Sequence, residues 1–193
     1  MRKYLTDGEW TLLFGSIING VNVDRDRAMF HLAYRHGLRV SELTSLRYSD
    51  VDLCGGSLYV RRLKNGLSTV HPLQADSRSL LQKWFERRHC HLSDGVTSDW
   101  LFISRNGMKL SRQRVFMMAR KYGEQAGLPF PVHPHMLRHA CGYELANQGL
   151  DTRLIQDYLG HRNISHTVRY TAGNASRFRR VWRDIPAGEQ GRQ

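Results

Sequence analysis

His135-Met136-Leu137-Arg138 places an imidazole and a guanidinium three residues apart, so on a helix both side chains face one ligand. Pro134 precedes the pair, as expected at the start of a helix. There, unpaired N–H groups and the helix dipole favour an anion, and a bidentate arginine fork suits phosphate above all. Other residues with the same chemical leaning are spread along the chain. Arg39 follows Gly37, Lys64 begins Lys64-Asn65-Gly66, His161 follows Gly160, and Tyr170 lies nine residues further on. Taken singly, each has an ordinary structural use. Arg39 can be a helix-end cation, Lys64 a turn lysine, Gly160-His161 a helix C-cap with its dipole partner, and Tyr170 a packed aromatic. Zinc is a poor alternative for the histidines. His135 and His139 are four apart, but the zincin pattern needs a glutamate after the first histidine and here that position is Met136.

The elements that would carry these residues follow from caps and periodicity. Thr6-Asp7-Gly8-Glu9 has capping-box spacing and predicts a helix to about Ile18. Met29, Leu32, Ala33 and His36 recur at helical spacing over 25–36, closed by Gly37, which puts Arg39 just beyond a helix end; Ser41 opens a short helix to Leu46. Ser57 to Leu63 and Leu67 to His71 read as a hairpin around Asn65-Gly66, with Lys64 at its tip. Further helices are expected over 74–91, 111–126, 135–148, 151–159, 164–170 and 174–182, and a brief strand at Leu101-Phe102-Ile103. The fold class is therefore mainly α with a small antiparallel sheet.

Composition narrows the partner. The 193 residues carry 29 Lys+Arg against 17 Asp+Glu, a formal charge of +12, which suits a polyanion. With 40% hydrophobic residues the chain can build a core, and its length fits one domain. Cys54, Cys90 and Cys141 are odd in number and widely spaced, which favours a reducing compartment over a disulfide framework. No apolar stretch long enough for a membrane span is present, and the expected location is the cytoplasm.

Gly37-Leu38-Arg39-Val40-Ser41-Glu42-Leu43, then Arg62-Leu63-Lys64, then His135 to Arg138, then Leu159-Gly160-His161 and finally Tyr170 resemble, in order and spacing, the active-site motifs of the tyrosine site-specific recombinases. The likeness runs from about Thr6 to Trp182, and Asp151 to Arg169 is especially similar to the small fimbrial phase-variation DNA invertases. The resemblance implies the catalytic-domain fold of that family over 1–185, a disordered tail at 186–193, and no separate N-terminal DNA-clamping domain. It implies that Tyr170 attacks a scissile phosphate to give a 3′-phosphotyrosyl bond, with Arg39, Arg138 and His161 on the phosphate, His135 as preferred acceptor of the tyrosine proton, and Lys64 as general acid. Glu42 and His139 would support the cluster. Neither metal nor nucleotide cofactor is implied.

On the same reading the partner is double-stranded DNA bearing inverted repeats, met by a homo-oligomer, a tetramer in this family, with accessory DNA-bending proteins. Arg112, Arg114, Arg120 and Lys121, on the outside of the 111–126 helix, are candidate DNA contacts. Phe178 and Trp182 in the terminal segment could dock on a neighbour or pack at home. Two other functions stay open: a phage-type integrase, and a regulator on the same fold that binds DNA without cutting it.

Overall fold

The computed structural model describes residues 3–62, 68–92, 97–104 and 106–172. The hairpin tip with Lys64 and the segment from 173 onward, with Phe178, Trp182 and the 186–193 tail, lie outside the described residues. Helices dominate, in the order α1 (Asp7–Gly15), α2 (Val23–Arg35), α3 (Val40–Thr44), α4 (Ala75–Arg88), α5 (Arg112–Gln125), α6 (Pro134–Asn147), α7 (Thr152–Leu159) and α8 (Ser165–Thr171). Between α3 and α4 lies a three-stranded antiparallel sheet, β1 (Val51–Asp52), β2 (Ser57–Val60) and β3 (Thr69–Pro72), in the order β1-β2-β3. Its register pairs Val51 with Leu58, and Leu58 in turn with His71. Among the described residues no helix is long and apolar enough to cross a membrane.

Local chemistry accounts for most boundaries. Thr6 and Glu9 form the reciprocal capping box that starts α1: Glu9 Oε2 accepts from the Thr6 N–H at 2.8 Å. The helix stops at Gly15, short of Ile18; the Ser16 hydroxyl lies between the Leu13 carbonyl of α1, at 2.7 Å, and the Tyr122 carbonyl of α5, at 3.0 Å. Ser111 caps α5 and Asp151 caps α7, the latter accepting from the N–H groups of Arg153 and Leu154. The α4 pattern runs to Arg88 and tightens into a 3-10 turn at His89–His91.

One element was not expected and one expectation changed. The two-residue strand β1 carries too little pattern to be seen in the sequence. Leu101-Phe102-Ile103 is not a ladder strand; isolated bridges of Trp100 with Arg47 and Ile103 with Lys109 hold it as a buried connection.

α2 runs through the middle of the main core, burying Met29, Phe30, Leu32 and Ala33 against α4 and α6. Trp84 of α4 is fully buried, with its indole N–H donating to the Leu101 carbonyl at 2.8 Å. A side chain of that size gains ~3 kcal/mol or less from leaving water, so many such residues are needed to offset chain entropy. A smaller cluster, Cys141, Ala146, Ile155, Leu159 and Tyr170, ties α6, α7 and α8 together. Tyr170 is thus a member of a core.

Candidate active site

The site is built on the C-terminal end of α7. Three consecutive carbonyls there, Tyr158, Leu159 and Gly160, receive Nη2 of Arg62, of Arg138 (2.8 Å) and of Arg39 (3.3 Å) respectively. A helix C-terminus carries partial negative charge and leaves its last carbonyls unpaired, so it gathers cations. Gly160 makes this possible twice over. Its φ of +64° turns the chain out of the helix, and a Cβ there would come within 2.5 Å of Arg62 Nε.

One carboxylate holds the same guanidiniums from the other side. Glu42, 2% exposed, accepts from Arg39 Nη1 at 2.7 Å and from Arg62 Nη1 at 2.9 Å, and lies 4.0 Å from Arg138 Nη1. It also accepts the Arg39 backbone N–H at 2.8 Å, so the residue that starts α3 is the one that aims Arg39. Arg138 is further held by the Gly37 carbonyl. Burial, and then Arg39, pull the Arg138 pKa down to about 10, which leaves it cationic at neutral pH. Arg39 is the more open of the two, with its side chain about one third exposed. An anion approaching this end of α7 therefore meets a partly open guanidinium backed by two buried ones.

The histidines come from α6 and from the turn after α7. His135 is exposed in the first turn of α6 and its ring lies 6.1 Å from that of His139, one turn further along. His161 is fixed through Nδ1 by the Thr167 hydroxyl at 2.8 Å, which leaves Nε2 as the nitrogen that can meet a ligand. Desolvation is the largest cause that lowers the pKa of each imidazole, to about 3 for His161 and about 4 for His139, with Arg138 adding to every one. The imidazoles are neutral at pH 7.

Tyr170, 2% exposed on α8, lies in the same neighbourhood. Its ring packs edge-on to Tyr143 and parallel to His161, with centroids 5.1 and 6.2 Å away. Its hydroxyl meets His139 Nδ1 at 2.8 Å. Desolvation raises its pKa to about 12, against the lowering effect of Arg138. Gly142 makes room for the ring: a Cβ there would fall 2.6 Å from it.

The structure thus brings Arg39, Glu42, Arg138, His135, His139, His161 and Tyr170 into one region, while Lys64 lies outside the described residues. The four α5 cations do not share a surface. Arg112 and Arg120 flank Phe116 at four-residue spacing, and Phe116 stacks on His133 beside the start of α6. Arg114 and Lys121 instead line a hollow of about 270 Å³ with Asn22, Arg25 and Asp26. Arg153, Arg162 and His166, which bound an open hollow beside His161, were not singled out from sequence, and Arg62 entered only as the first residue of the Lys64 motif, with no role. Arg62 had a signal: β2 alternation turns Leu58, Val60 and then Arg62 inward, and an inward arginine needs a carboxylate.

A sequence model described as the phage integrase family matches residues 3–177. The chain belongs to that family. It is a tyrosine recombinase, an enzyme that cuts and rejoins DNA strands. The type 1 fimbriae regulatory protein FimE of Escherichia coli strain K12 is 52% identical over 181 residues, covering 94% of this chain and 91% of FimE. FimB of the same strain is 46% identical over 189 residues, covering 98% of this chain and 93% of FimB. The crystal structure of XerA recombinase superposes with a TM-score of 0.79 at 29% identity, over 94% of this chain and 64% of that one. This recombinase therefore has the catalytic-domain architecture of its family, and its matched span takes in every site residue named above.

Proposed function

We propose that this recombinase inverts a DNA segment between inverted repeats, and that the segment governs expression of a fimbrial operon. The observation that carries the chemistry is the convergence of Arg39 and Arg138 on the α7 terminus, with the Tyr170 hydroxyl held by His139, the residue after Arg138 on α6. The full-length likeness to FimE and FimB, which bear the name of fimbriae regulatory proteins, supports the target. Tyr170 attacks a backbone phosphorus; the Oη–P bond forms, the P–O5′ bond breaks, and the phosphotyrosyl link conserves the energy of the broken bond.

Charge on the non-bridging oxygens rises in the transition state, and planar guanidiniums already fixed by Glu42 and the α7 carbonyls meet that charge without reorganising. His161 donates a hydrogen bond to the same oxygens, while His135, which the resemblance makes the acceptor of the tyrosine proton, stands exposed one turn before the His139 that the Tyr170 hydroxyl meets. Lys64, which falls between β2 and β3 in the sequence, supplies the proton that the departing 5′ oxygen takes. Religation reverses these steps with a 5′-hydroxyl from the partner duplex. Four protomers exchange strands at paired sites, aided by DNA-bending proteins, in the bacterial cytoplasm.

The test has two parts. On a nicked suicide duplex carrying the cognate repeat, the wild type accumulates a covalent protein–DNA adduct and Tyr170→Phe accumulates none. On a plasmid with the two repeats inverted, orientation-specific PCR detects both orientations after incubation. Binding without an adduct makes the protein a regulator on a recombinase fold; excision or integration without inversion makes it a phage-type integrase.

A further inference from the structure

His139 follows Arg138 directly on α6, and its Nδ1 is the atom that the Tyr170 hydroxyl meets, at 2.8 Å. The other imidazoles are placed differently. His135 is exposed on the turn before, with its ring centre 6.1 Å from that of His139, and His161 lies parallel to the Tyr170 ring with its Nδ1 engaged by Thr167. Tyr170 is wedged against Gly142, one turn along α6 from Arg138, so ring and imidazole are held by the same helix. We propose that His139 is a catalytic residue, the first acceptor of the Tyr170 proton in strand cleavage and its donor in religation. This rests on the recombinase reading above.

The phenolic proton passes to His139 Nδ1 as the Oη–P bond forms, and the 5′ oxygen is protonated from the general acid as the P–O5′ bond breaks. In religation the incoming 5′-hydroxyl loses its proton to that acid site, the Oη–P bond breaks, and Nδ1 returns its proton to the tyrosine oxygen. In the DNA-free protein the step is held back. Burial first, and then His135, Arg169 and Arg138, keep His139 neutral, and the buried phenol keeps its proton. A phosphodiester at Arg39 and Arg138 brings the negative charge that raises the basicity of Nδ1, so the nucleophile is activated when DNA is seated.

His139→Asn separates acceptance of a proton from placement, because the asparagine carbonyl can still take the hydroxyl's hydrogen bond at the Nδ1 position but cannot hold its proton. Single-turnover adduct formation on the nicked duplex is measured from pH 6.5 to 9 with DNA binding checked by mobility shift. The expected result is intact binding, a loss of ~100-fold or more at pH 7, and a rate that climbs about tenfold per pH unit as hydroxide substitutes for the imidazole. His135→Asn slows the reaction without that slope. A His139→Asn rate within threefold of wild type, a loss equal at every pH, or the slope in His135→Asn instead would overturn the assignment. Absence of any adduct in the wild type would sink the recombinase reading and this inference with it.

Discussion

Glu42 is a single carboxylate answering for three guanidinium groups, and its burial makes its removal costly. Arg62, whose side chain is wholly buried, would be left with charge facing only the Tyr158 carbonyl, while Arg138 and Arg39 would lose the group that spaces them apart. Breaking a buried ion pair from one side costs about 3–5 kcal/mol, because the remaining charge is neither solvated nor paired. Glu42→Gln, which keeps the shape, should therefore lower stability by ~3 kcal/mol in urea unfolding and depress DNA cleavage further than the loss of folded protein explains. An unfolding midpoint within error of wild type would show that water replaces the carboxylate.

At this scale motif order named Arg39, Arg138, His161 and Tyr170, which the fold gathers into one region, but it was silent about which residue touches which. The Tyr170–His139 bond was not legible, since it depends on the rotation of α8 against α6, two elements 31 residues apart at the atoms concerned.

Elements contribute through their ends more than through their lengths. α7 is eight residues long, yet its C-terminus organises the site, and the glycine that stops it is held between a left-handed turn and Arg62. Gly160→Ala should cost the ~1 kcal/mol typical of a left-handed non-glycine residue, plus the displacement of Arg62 by a methyl placed 2.5 Å from Nε. Gly127 offers the matching control: its φ is +69° but a Cβ there meets nothing within 4 Å, so Gly127→Ala should pay the backbone cost alone. Urea midpoints of the two variants isolate the steric part, and equal losses would mean that Arg62 moves freely. Caps and helical periodicity made most of these elements readable, including both glycine stops. β1 and the 101–103 connection escaped because two residues hold no period, and because an apolar run buried on all sides looks the same whether or not it is paired.

The whole molecule stores a set of neutral imidazoles in a cationic protein. Besides His139 and His161, the buried pair His36 and His71, with Nδ1 atoms 3.3 Å apart, is held well below the ordinary histidine pKa of 6.5, to about 3 and about 4, chiefly by desolvation. His71 also feels Arg62, and His36 feels His71, His31 and Arg35, so neighbouring positive charge adds to the desolvation. The sign is fixed by linkage. Below pH 6.5 the unfolded chain takes up protons at these positions while the folded chain does not, so stability falls as pH drops, and the loss continues until the folded pKa values are reached. Since the two rings touch, they titrate as a pair, and together they should remove on the order of 5 kcal/mol between pH 6.5 and pH 4. Carboxylates such as Asp76, whose pKa is lowered from 3.8, act in the same direction only at lower pH, which leaves the window from 7 to 5 to histidine. Urea midpoints taken across that window should decline steadily, and His71→Gln, which removes one member of the pair, should decline less steeply than wild type. A midpoint that holds constant from pH 7 to pH 5 would require these rings to be charged, or open to water, in the folded protein.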